Sequence, residues 1–294
     1  MKSLGGATIG FVGLGLMGRP MSINLHEAGA AMVIYNRSRA VADELTAMGM
    51  RAVASPRAVA EAAPIVVVMV TDTAAVEQVL LGPQGIVEGL SPGSLVIDMG
   101  TTAMSATRHF AKLVADKGAH YIDAPVSGGE IGARDANLAI MAGGPASAFE
   151  KARPLFAVLG ANITHVGDVG AGQVAKAANQ VIVGLTIGAV AEALSLAKSA
   201  GVDPRTVREA LSGGFADSRI LEVHGQRMIE QSFAPGGKAA TQRKDLFQAL
   251  ELAQETGIEL PATKLNMALY DKLIAAGYGE LDHSALIKVL GPAA

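Results

Sequence analysis

Short apolar runs alternate with helical patterns over the first half of the chain. The apolar runs predict strands at residues 8–12, 31–35, 65–70, 94–99, 119–124, 138–142 and 163–166. Helical patterns lie between several of them, at residues 17–28, 39–48, 74–81 and 104–117. Continuous Val/Ile runs indicate strands that are buried on both faces. This alternation predicts an α/β fold in which a doubly wound, mostly parallel sheet carries helices on both sides.

The second half of the chain has a helical pattern throughout. It is interrupted only at short stretches that favour turns, at residues 201–204, 212–214, 233–237 and 257–261. We therefore predict a domain boundary near Asp168, between a cofactor-binding domain over residues 1–167 and an all-helical domain over residues 168–294. A long helix from about Gly172 to Ala200 would open the second domain and form the wall between the two.

That long helix is almost wholly apolar, yet Lys176 lies near its start. A helix that is apolar all round is usually central to its domain, and a buried ammonium is costly without a partner or a function. Asn179 and Gln180 share the face of Lys176. Two interpretations remain open. The cation and the amides could orient a small polar molecule, or the lysine stem could lie along apolar surface while its head reaches water.

Composition narrows the class of protein. The chain of 294 residues has a net charge of -3 and only 4% aromatic residues, so we expect no nucleic-acid or membrane partner. It has no cysteine, which excludes disulfides and thiolate zinc sites and fits a cytoplasmic location. The N-terminus has no signal-peptide pattern, and the apolar run 181–191 is too short to span a bilayer comfortably. No histidine pair has metal-ligand spacing, so we expect no metal site.

The glycines Gly13, Gly15 and Gly18 form the strongest local motif. They follow a predicted strand and open a predicted helix, as in a dinucleotide-binding unit. Such glycines allow a tight turn, close approach of a pyrophosphate and close helix–strand packing. The alternative is a glycine-rich turn that binds nothing.

The end of the second predicted strand indicates which dinucleotide binds. NAD sites usually carry an acidic residue there, but this chain has Asn36, Arg37 and Ser38. Because guanidinium and hydroxyl groups suit a phosphate, we predict a preference for NADP(H). The alternative is a solvated charge cluster beside a site that still accepts NAD(H).

Two further segments carry candidate chemistry. The loop at residues 123–129, which contains Ser127, Gly128 and Gly129, follows a predicted strand, and consecutive N–H groups beside a hydroxyl suit a carboxylate or oxyanion. Lys244 opens a later helix, where it could contact cofactor or substrate or lie on a solvated face. A tight turn that serves packing alone remains the alternative for the loop.

Together these motifs resemble the β-hydroxyacid dehydrogenase family over essentially the whole chain. Four signature regions occur in the family's order, at residues 10–21, 123–129, 170–180 and 244–246. Residues 178–183, 213–218 and 282–286 are most similar to its tartronate semialdehyde reductase branch. A Rossmann domain followed by a helical domain is the fold that the resemblance implies.

The resemblance also implies roles for individual residues. Lys176 would be the general acid/base, and the substrate would be bound by Ser127, Gly128, Gly129, Asn179 and Gln180. Many relatives have Asn where this chain has Gln180, which leaves open which amide contacts substrate. The cofactor would contact the glycine motif and Leu14, Met17, Asn36, Arg37, Ser38, Val70, Thr71, Asp72, Thr101 and Lys244.

The implied reaction is reduction of tartronate semialdehyde to D-glycerate with NADPH, by a homodimer or homotetramer. Dehydrogenation of 3-hydroxyisobutyrate, L-threonate, L-serine or sulfolactaldehyde remains an alternative within the family. An imine reductase or a non-catalytic scaffold is less consistent with the residues, because both are expected to lack the lysine that stands at position 176.

Overall fold

The computed structural model describes residues 3–290, so positions 1–2 and 291–294 of the predicted domains lie outside it. The chain forms two compact units, and the boundary between them lies between Lys176 and Ala177. The strands of the first unit are β1 (Thr8–Val12), β2 (Ala31–Tyr35), β3 (Arg51–Ala52), β4 (Ile65–Val68), β5 (Leu95–Asp98), β6 (His120–Asp123), β7 (Val126–Ser127), β8 (Leu138–Gly143) and β9 (Gly160–Gly167).

Eight helices connect these strands or follow them. They are α1 (Gly18–Glu27), α2 (Arg39–Ala47), α3 (Pro56–Ala62), α4 (Thr73–Leu81), α5 (Ile86–Gly89), α6 (Met104–Ala115), α7 (Gly129–Arg134) and α8 (Ala146–Leu159). The long helix α9 (Ala171–Ser199) begins in the first unit. The second unit adds α10 (Pro204–Leu211), α11 (Arg219–Glu230), α12 (Ala239–Thr256), α13 (Pro261–Ala275) and a 3₁₀ helix (His283–Val289).

The sheet confirms the predicted doubly wound α/β architecture. Its first six strands are parallel in the order β3-β2-β1-β4-β5-β6. This order reverses direction between β1 and β4, the point at which such sheets bind nucleotides. Strand β8 then runs antiparallel to β6 and β7 and parallel to β9. The two-residue strands β3 and β7 were not predicted, because two residues show no period.

Apolar side chains fill both faces of the sheet. Along β5, Leu95 and Ile97 belong to one buried cluster and Val96 to the other. Successive side chains of a strand point to opposite faces, so the two clusters are the two covering layers. The continuous apolar runs are therefore strands buried on both sides, as the pattern predicted.

The second unit packs its helices around one cluster that includes Tyr270, which is fully buried. Each predicted interruption separates two observed helices. The long helix extends well beyond the apolar run at residues 181–191. By length and composition it could cross a membrane, although core helices pass the same test. It is also less buried than expected, since Ile182 and Leu196 are 65% and 72% exposed.

Candidate active site

The three glycines of the nucleotide motif lie in different surroundings. A Cβ on Gly13 would lie 2.3 Å from the Met69 oxygen, and one on Gly18 would lie 1.9 Å from the Gly13 oxygen. Gly13 also has a φ of 98°, which favours glycine. A Cβ on Gly15 would meet no heavy atom of the described chain within 4 Å. The fold thus requires Gly13 and Gly18, whereas Gly15 leaves open space at the exposed turn before α1.

Asn36 connects this turn to the end of β2. Its Oδ1 accepts a hydrogen bond from Leu14 N at 3.0 Å, and its Nδ2 donates to the Ser38 oxygen at 2.9 Å. The Leu14 side chain is buried in the core, so a cofactor could reach only its backbone. Arg37 and Ser38 are exposed, and Ser38 precedes α2 without making a side-chain cap bond to any described residue.

The predicted cofactor residues after β4 lie in a half-buried turn. Val70 and Asp72 are half-buried and Thr71 is exposed; Met17, in the glycine turn, is also half-buried. Asp72 accepts from Ala75 N at 2.9 Å and thereby caps α4, and Thr71 Oγ1 donates to its other oxygen. These polar groups therefore shape the turn at the carboxyl end of β4.

A buried carboxylate organises the turn after β5. Asp98 is fully buried and accepts hydrogen bonds from Gly100 N, Thr102 Oγ1 and Tyr121 Oη. Burial, and then the charge of Asp98, raise the pKa of Tyr121 well above its usual value. Between Gly100 and Thr102 lies Thr101, which is half-buried. This turn is thus fixed by hydrogen bonds within the protein.

The loop at residues 126–129 has a backbone that only glycines adopt readily. Gly128 and Gly129 have φ angles of 135° and 60°, and both are exposed. A Cβ on Gly128 would also approach the Leu138 side chain at 3.2 Å. Ser127 ends β7 and is half-buried. The loop therefore turns its backbone outward directly after the serine.

Lys176 is buried and held beside this loop. It is 7% exposed, and its Nζ donates to the carbonyl oxygen of Val126 at 2.8 Å. Val126 immediately precedes Ser127, so the ammonium is tied to the backbone next to the serine and the two glycines. The alternative in which the lysine head reaches bulk water does not describe this structure.

Asp123 holds the start of the helix that carries Lys176. Its Oδ1 accepts from Gly170 N at 2.8 Å and its Oδ2 from Gln173 N at 2.9 Å. Burial raises the pKa of Asp123 to about 7, with a further contribution from the charge of Asp98, although the backbone N–H groups oppose the rise. The sequence analysis included Asp123 in a loop but assigned it no role.

Gln173 attaches the same helix to the turn after β5. Its Oε1 accepts from Thr102 N at 3.1 Å, and its Nε2 donates to the Gly100 oxygen at 3.0 Å. The sequence analysis did not single out Gln173. The sequence offered only one signal, an amide three residues before the candidate lysine. The groups that this amide binds lie 71 and 73 residues away in the chain, so no local pattern reveals them.

The two amides that follow Lys176 on α9 differ in their surroundings. Gln180 is buried, and its Nε2 donates to Gln242 Oε1 at 3.2 Å and to Asp245 Oδ2 at 2.5 Å. Its Oε1 accepts from Asn179 Nδ2 at 2.7 Å, and Asn179 is only half-buried. Lys244 Nζ pairs with Asp245 Oδ1 at 2.9 Å, so it is not simply a solvated lysine.

Another buried carboxylate, Asp282, lies in the second unit. Asp282 pairs with Arg227 at 2.7 Å and approaches His224 Nδ1 at 3.5 Å, while His224 and His283 are joined through their Nε2 atoms at 3.3 Å. Burial alone would raise the pKa of Asp282, but His224, His283 and Ser284 hold it well below its usual value. The ligand-type atoms of His224, Asp282 and His283 lie within 4.8 Å of one another, and Arg227 forms an ion pair with the same carboxylate.

The sheet order, the glycine turn and the open space at Gly15 are together the features of a dinucleotide-binding domain. Sequence models of two domains match the chain accordingly. The NAD binding domain of 6-phosphogluconate dehydrogenase matches residues 8–167. The NAD-binding domain of NADP-dependent 3-hydroxyisobutyrate dehydrogenase matches residues 170–290.

Known proteins narrow this class. The chain is 49% identical to a 2-hydroxy-3-oxopropionate reductase of Escherichia coli over 96% of each chain. It is 37% identical to a 2-(hydroxymethyl)glutarate dehydrogenase of Eubacterium barkeri, over 96% of this chain and 94% of the relative. A structure of Psf3 in complex with NADP+ and 2-OPP superposes with a TM-score of 0.88 at 27% identity, covering 96% of this chain and 100% of the other.

The chain therefore belongs to the β-hydroxyacid dehydrogenase family, whose members are NAD(P)-dependent enzymes that act on CH–OH groups. This confirms the family resemblance and the enzyme class predicted from the sequence. The roles predicted for individual residues stay predictions.

Proposed function

We propose that the chain reduces tartronate semialdehyde to D-glycerate with NADPH. The observation that carries this proposal is the position of Lys176, whose Nζ is bound to the Val126 oxygen beside Ser127. The similarity to the Escherichia coli reductase over 96% of both chains supports the choice of substrate. Both the substrate and the cofactor preference are parts of the proposal.

Residues of the first unit supply the acid–base chemistry. Ser127 and the outward backbone of Gly128 and Gly129 bind the carboxylate or hydroxyl of the substrate. This directs the aldehyde oxygen towards Lys176. The cofactor, when bound, supplies the hydride for the aldehyde carbon. Protonated Lys176 gives its proton to the aldehyde oxygen, which becomes the hydroxyl of the product, and the neutral amine takes a proton in the reverse reaction.

Of the two amides, Asn179 is the one that we propose contacts substrate. The amide of Gln180 is engaged at both ends, by Gln242 and Asp245 at Nε2 and by Asn179 at Oε1. Binding substrate through Gln180 would require breaking buried hydrogen bonds, which is costly. Gln180 therefore positions Asn179, one helical turn after Lys176.

The residues present fit NADP(H). The open space at Gly15 admits a pyrophosphate at the start of α1, where backbone N–H groups favour an anion. Arg37 and Ser38 are exposed at the end of β2, where an NAD site would carry a carboxylate. The guanidinium and hydroxyl of these residues would bind the 2′-phosphate. We assign Lys244 a place near the cofactor on the family resemblance alone.

The substrate assignment is tested with a panel of short aldehydes and hydroxy acids, assayed with both cofactors. Tartronate semialdehyde with NADPH should give the highest kcat/KM. A higher kcat/KM for 3-hydroxyisobutyrate, L-serine, L-threonate or sulfolactaldehyde would replace this substrate but keep the reaction class. Lys176→Ala should lower kcat by about 10²–10⁴-fold while NADPH affinity stays near normal. Lys176→Arg should fail too, since guanidinium does not deprotonate near neutral pH.

The cofactor assignment is tested with Arg37→Asp and Gly15→Ala. The first should weaken NADPH binding by roughly 2–5 kcal/mol and relatively favour NADH. The second should weaken both dinucleotides and leave the melting temperature unchanged, because the added methyl group meets no described atom. Gly18→Ala is the matched control, and it should unfold more easily because its methyl group meets the Gly13 oxygen. A lower KM of wild type for NADH would contradict the phosphate assignment.

We further propose that the enzyme is a cytoplasmic homodimer or homotetramer. Ile182 and Leu196 on α9 are well exposed in the single chain, and an apolar surface of this kind is typically covered in oligomers. Light scattering at micromolar concentration should give at least twice the monomer mass. A clean monomer would contradict the proposal.

A further inference from the structure

One carboxylate connects both structural supports of Lys176. Asp123 is fully buried at the end of β6 and accepts from Gly170 N and Gln173 N, at the start of α9. The chain then continues from Asp123 through two residues to Val126, whose carbonyl oxygen binds Lys176 Nζ. The helix that carries the lysine and the loop that holds its ammonium are therefore joined at a single residue, the helix through the side chain of Asp123 and the loop through its backbone.

The backbone is shaped for this contact. A Cβ on Gly172 would lie 2.6 Å from the Asp123 carbonyl oxygen and 2.4 Å from the Met141 oxygen. A Cβ on Gly143 would lie 2.8 Å from Asp123 Oδ1. Backbone atoms cannot give way as a flexible side chain can. The approach of α9 to β6 is therefore possible only with glycine at these positions, and it delivers the carboxylate to the helix start.

We propose that Asp123 is a positioning residue whose ionised carboxylate fixes the start of α9, and with it Lys176, against the loop at residues 126–129. The inference rests on the proposed role of Lys176 as proton donor. Asp123 itself contacts neither substrate nor cofactor in this mechanism.

The ionisation state of Asp123 decides how well it can hold the helix. An ionised carboxylate offers an acceptor to each of the two N–H groups, and such bonds are about twice as strong as neutral ones. A protonated carboxyl has a donor on one oxygen, so one of the N–H groups loses a good partner. Since the pKa of Asp123 is raised to about 7, this change falls within the pH range of ordinary assays.

The titratable groups beside Asp123 include a carboxylate on the neighbouring strand β5 and a tyrosine on its own strand. Asp98 on β5 is the charged neighbour that raises its pKa after the effect of burial, and the charge of Asp123 acts in turn on Tyr121 of β6. Lys176 is the cation on α9, and its Nζ is held by the carbonyl oxygen of Val126. Turnover in the reductive direction should therefore fall on the acid side of about pH 7.

The test compares pH profiles of kcat for wild type and Asp123→Asn, with saturating NADPH and tartronate semialdehyde. An amide presents one oxygen and one NH₂ group at every pH, so one helix N–H always faces a donor. We expect the acid limb near pH 7 in wild type and no such limb in the variant. The variant's kcat at pH 8 should be lower by roughly 10- to 100-fold, the size expected for a displaced catalytic group, with little change in KM for NADPH.

Asp98→Asn is the second variant, and it keeps the test decisive if Asp123→Asn folds poorly. Removing the neighbouring negative charge should move the acid limb to lower pH, an effect that a purely structural role would not produce. The inference is overturned if wild type has no acid limb, if Asp123→Asn keeps it, or if Asp98→Asn leaves its midpoint unmoved. Lys176→Ala separates the two proposals, because full turnover in that variant refutes the acid–base role whatever the pH profiles show.

Discussion

Asp123 in the first unit and Asp282 in the second are both fully buried carboxylates that accept backbone N–H groups, yet their pKa values move in opposite directions. The charge of another carboxylate, Asp98, adds to the rise in the pKa of Asp123 that burial causes. Asp282 instead has Arg227 at 2.7 Å and two histidines beside it. The neighbouring charges therefore decide whether a buried carboxylate stabilises the fold as an ion.

The largest effect should come from removing the charge of Asp282. Asp282→Asn leaves Arg227 without its counter-ion and one of the bound N–H groups of Gly236, Gly237 and Ser284 without an acceptor. We expect a loss of about 3–5 kcal/mol in the free energy of unfolding, measured with urea. Asp271→Asn is the control, since its ion pair with Arg243 is more exposed and should be worth under about 1 kcal/mol. Equal losses for Asp282→Asn and Asp271→Asn would show that the buried ion pair stabilises the fold no more than the exposed one.

The pH dependence of stability should distinguish Asp123 from Asp282, because the pKa of the first is raised and that of the second is lowered. The raised pKa of Asp123 means that its stabilising contribution is complete below about pH 4 and is lost as the pH rises through about 7. The advantage of wild type over Asp123→Asn should therefore shrink by about 2–4 kcal/mol from pH 4 to pH 8.

Asp282 has a lowered pKa, so its contribution is present above about pH 4 and is lost as the pH falls further. The advantage of wild type over Asp282→Asn should shrink only in acid. Urea unfolding at a series of pH values measures both differences, and parallel pH dependences for the two variants would contradict the assignment of opposite shifts.

The smallest effect should come from one hydroxyl. Ser284 Oγ donates to Asp282 Oδ1 at 2.5 Å, and a bond to an ionised carboxylate is worth about 1.5–3 kcal/mol. Ser284→Ala should cost an amount in this range. Ser22→Ala removes an equally buried hydroxyl that donates to a neutral carbonyl, that of Arg19. It should cost only about 0.5–1.5 kcal/mol, and the reverse order of costs would show that Asp282 is not ionised.

The sequence predicted those parts of the molecule that depend on local patterns. The strands of four or more residues, the breaks between the late helices and the turn that contains Gly15 follow from apolar runs and from glycine and proline positions. Helix α8 was not predicted; it contains Pro154, a residue that usually ends helices. The turn at Gly15 was predictable because its residues lie next to one another in the chain.

The supports of Lys176 could not be predicted in the same way. Asp123 binds residues 47 and 50 positions away, and Gln173 binds a turn more than 70 positions away. No periodicity records such pairs, and their amide and carboxylate groups also occur on solvated surfaces. The family resemblance indicated Lys176 itself, but only the folded backbone shows what holds it.

The partner of Lys176 is a main-chain carbonyl, and this has an evolutionary consequence. Val126 supplies the oxygen through its backbone, so replacing its side chain would leave that acceptor in the chain. Natural selection can therefore vary side chains around the loop, and with them the preferred hydroxy acid, without rebuilding the proton donor. Because this acceptor is a backbone atom, the reaction can be kept while the substrate changes, which suits a fold that hosts many related activities.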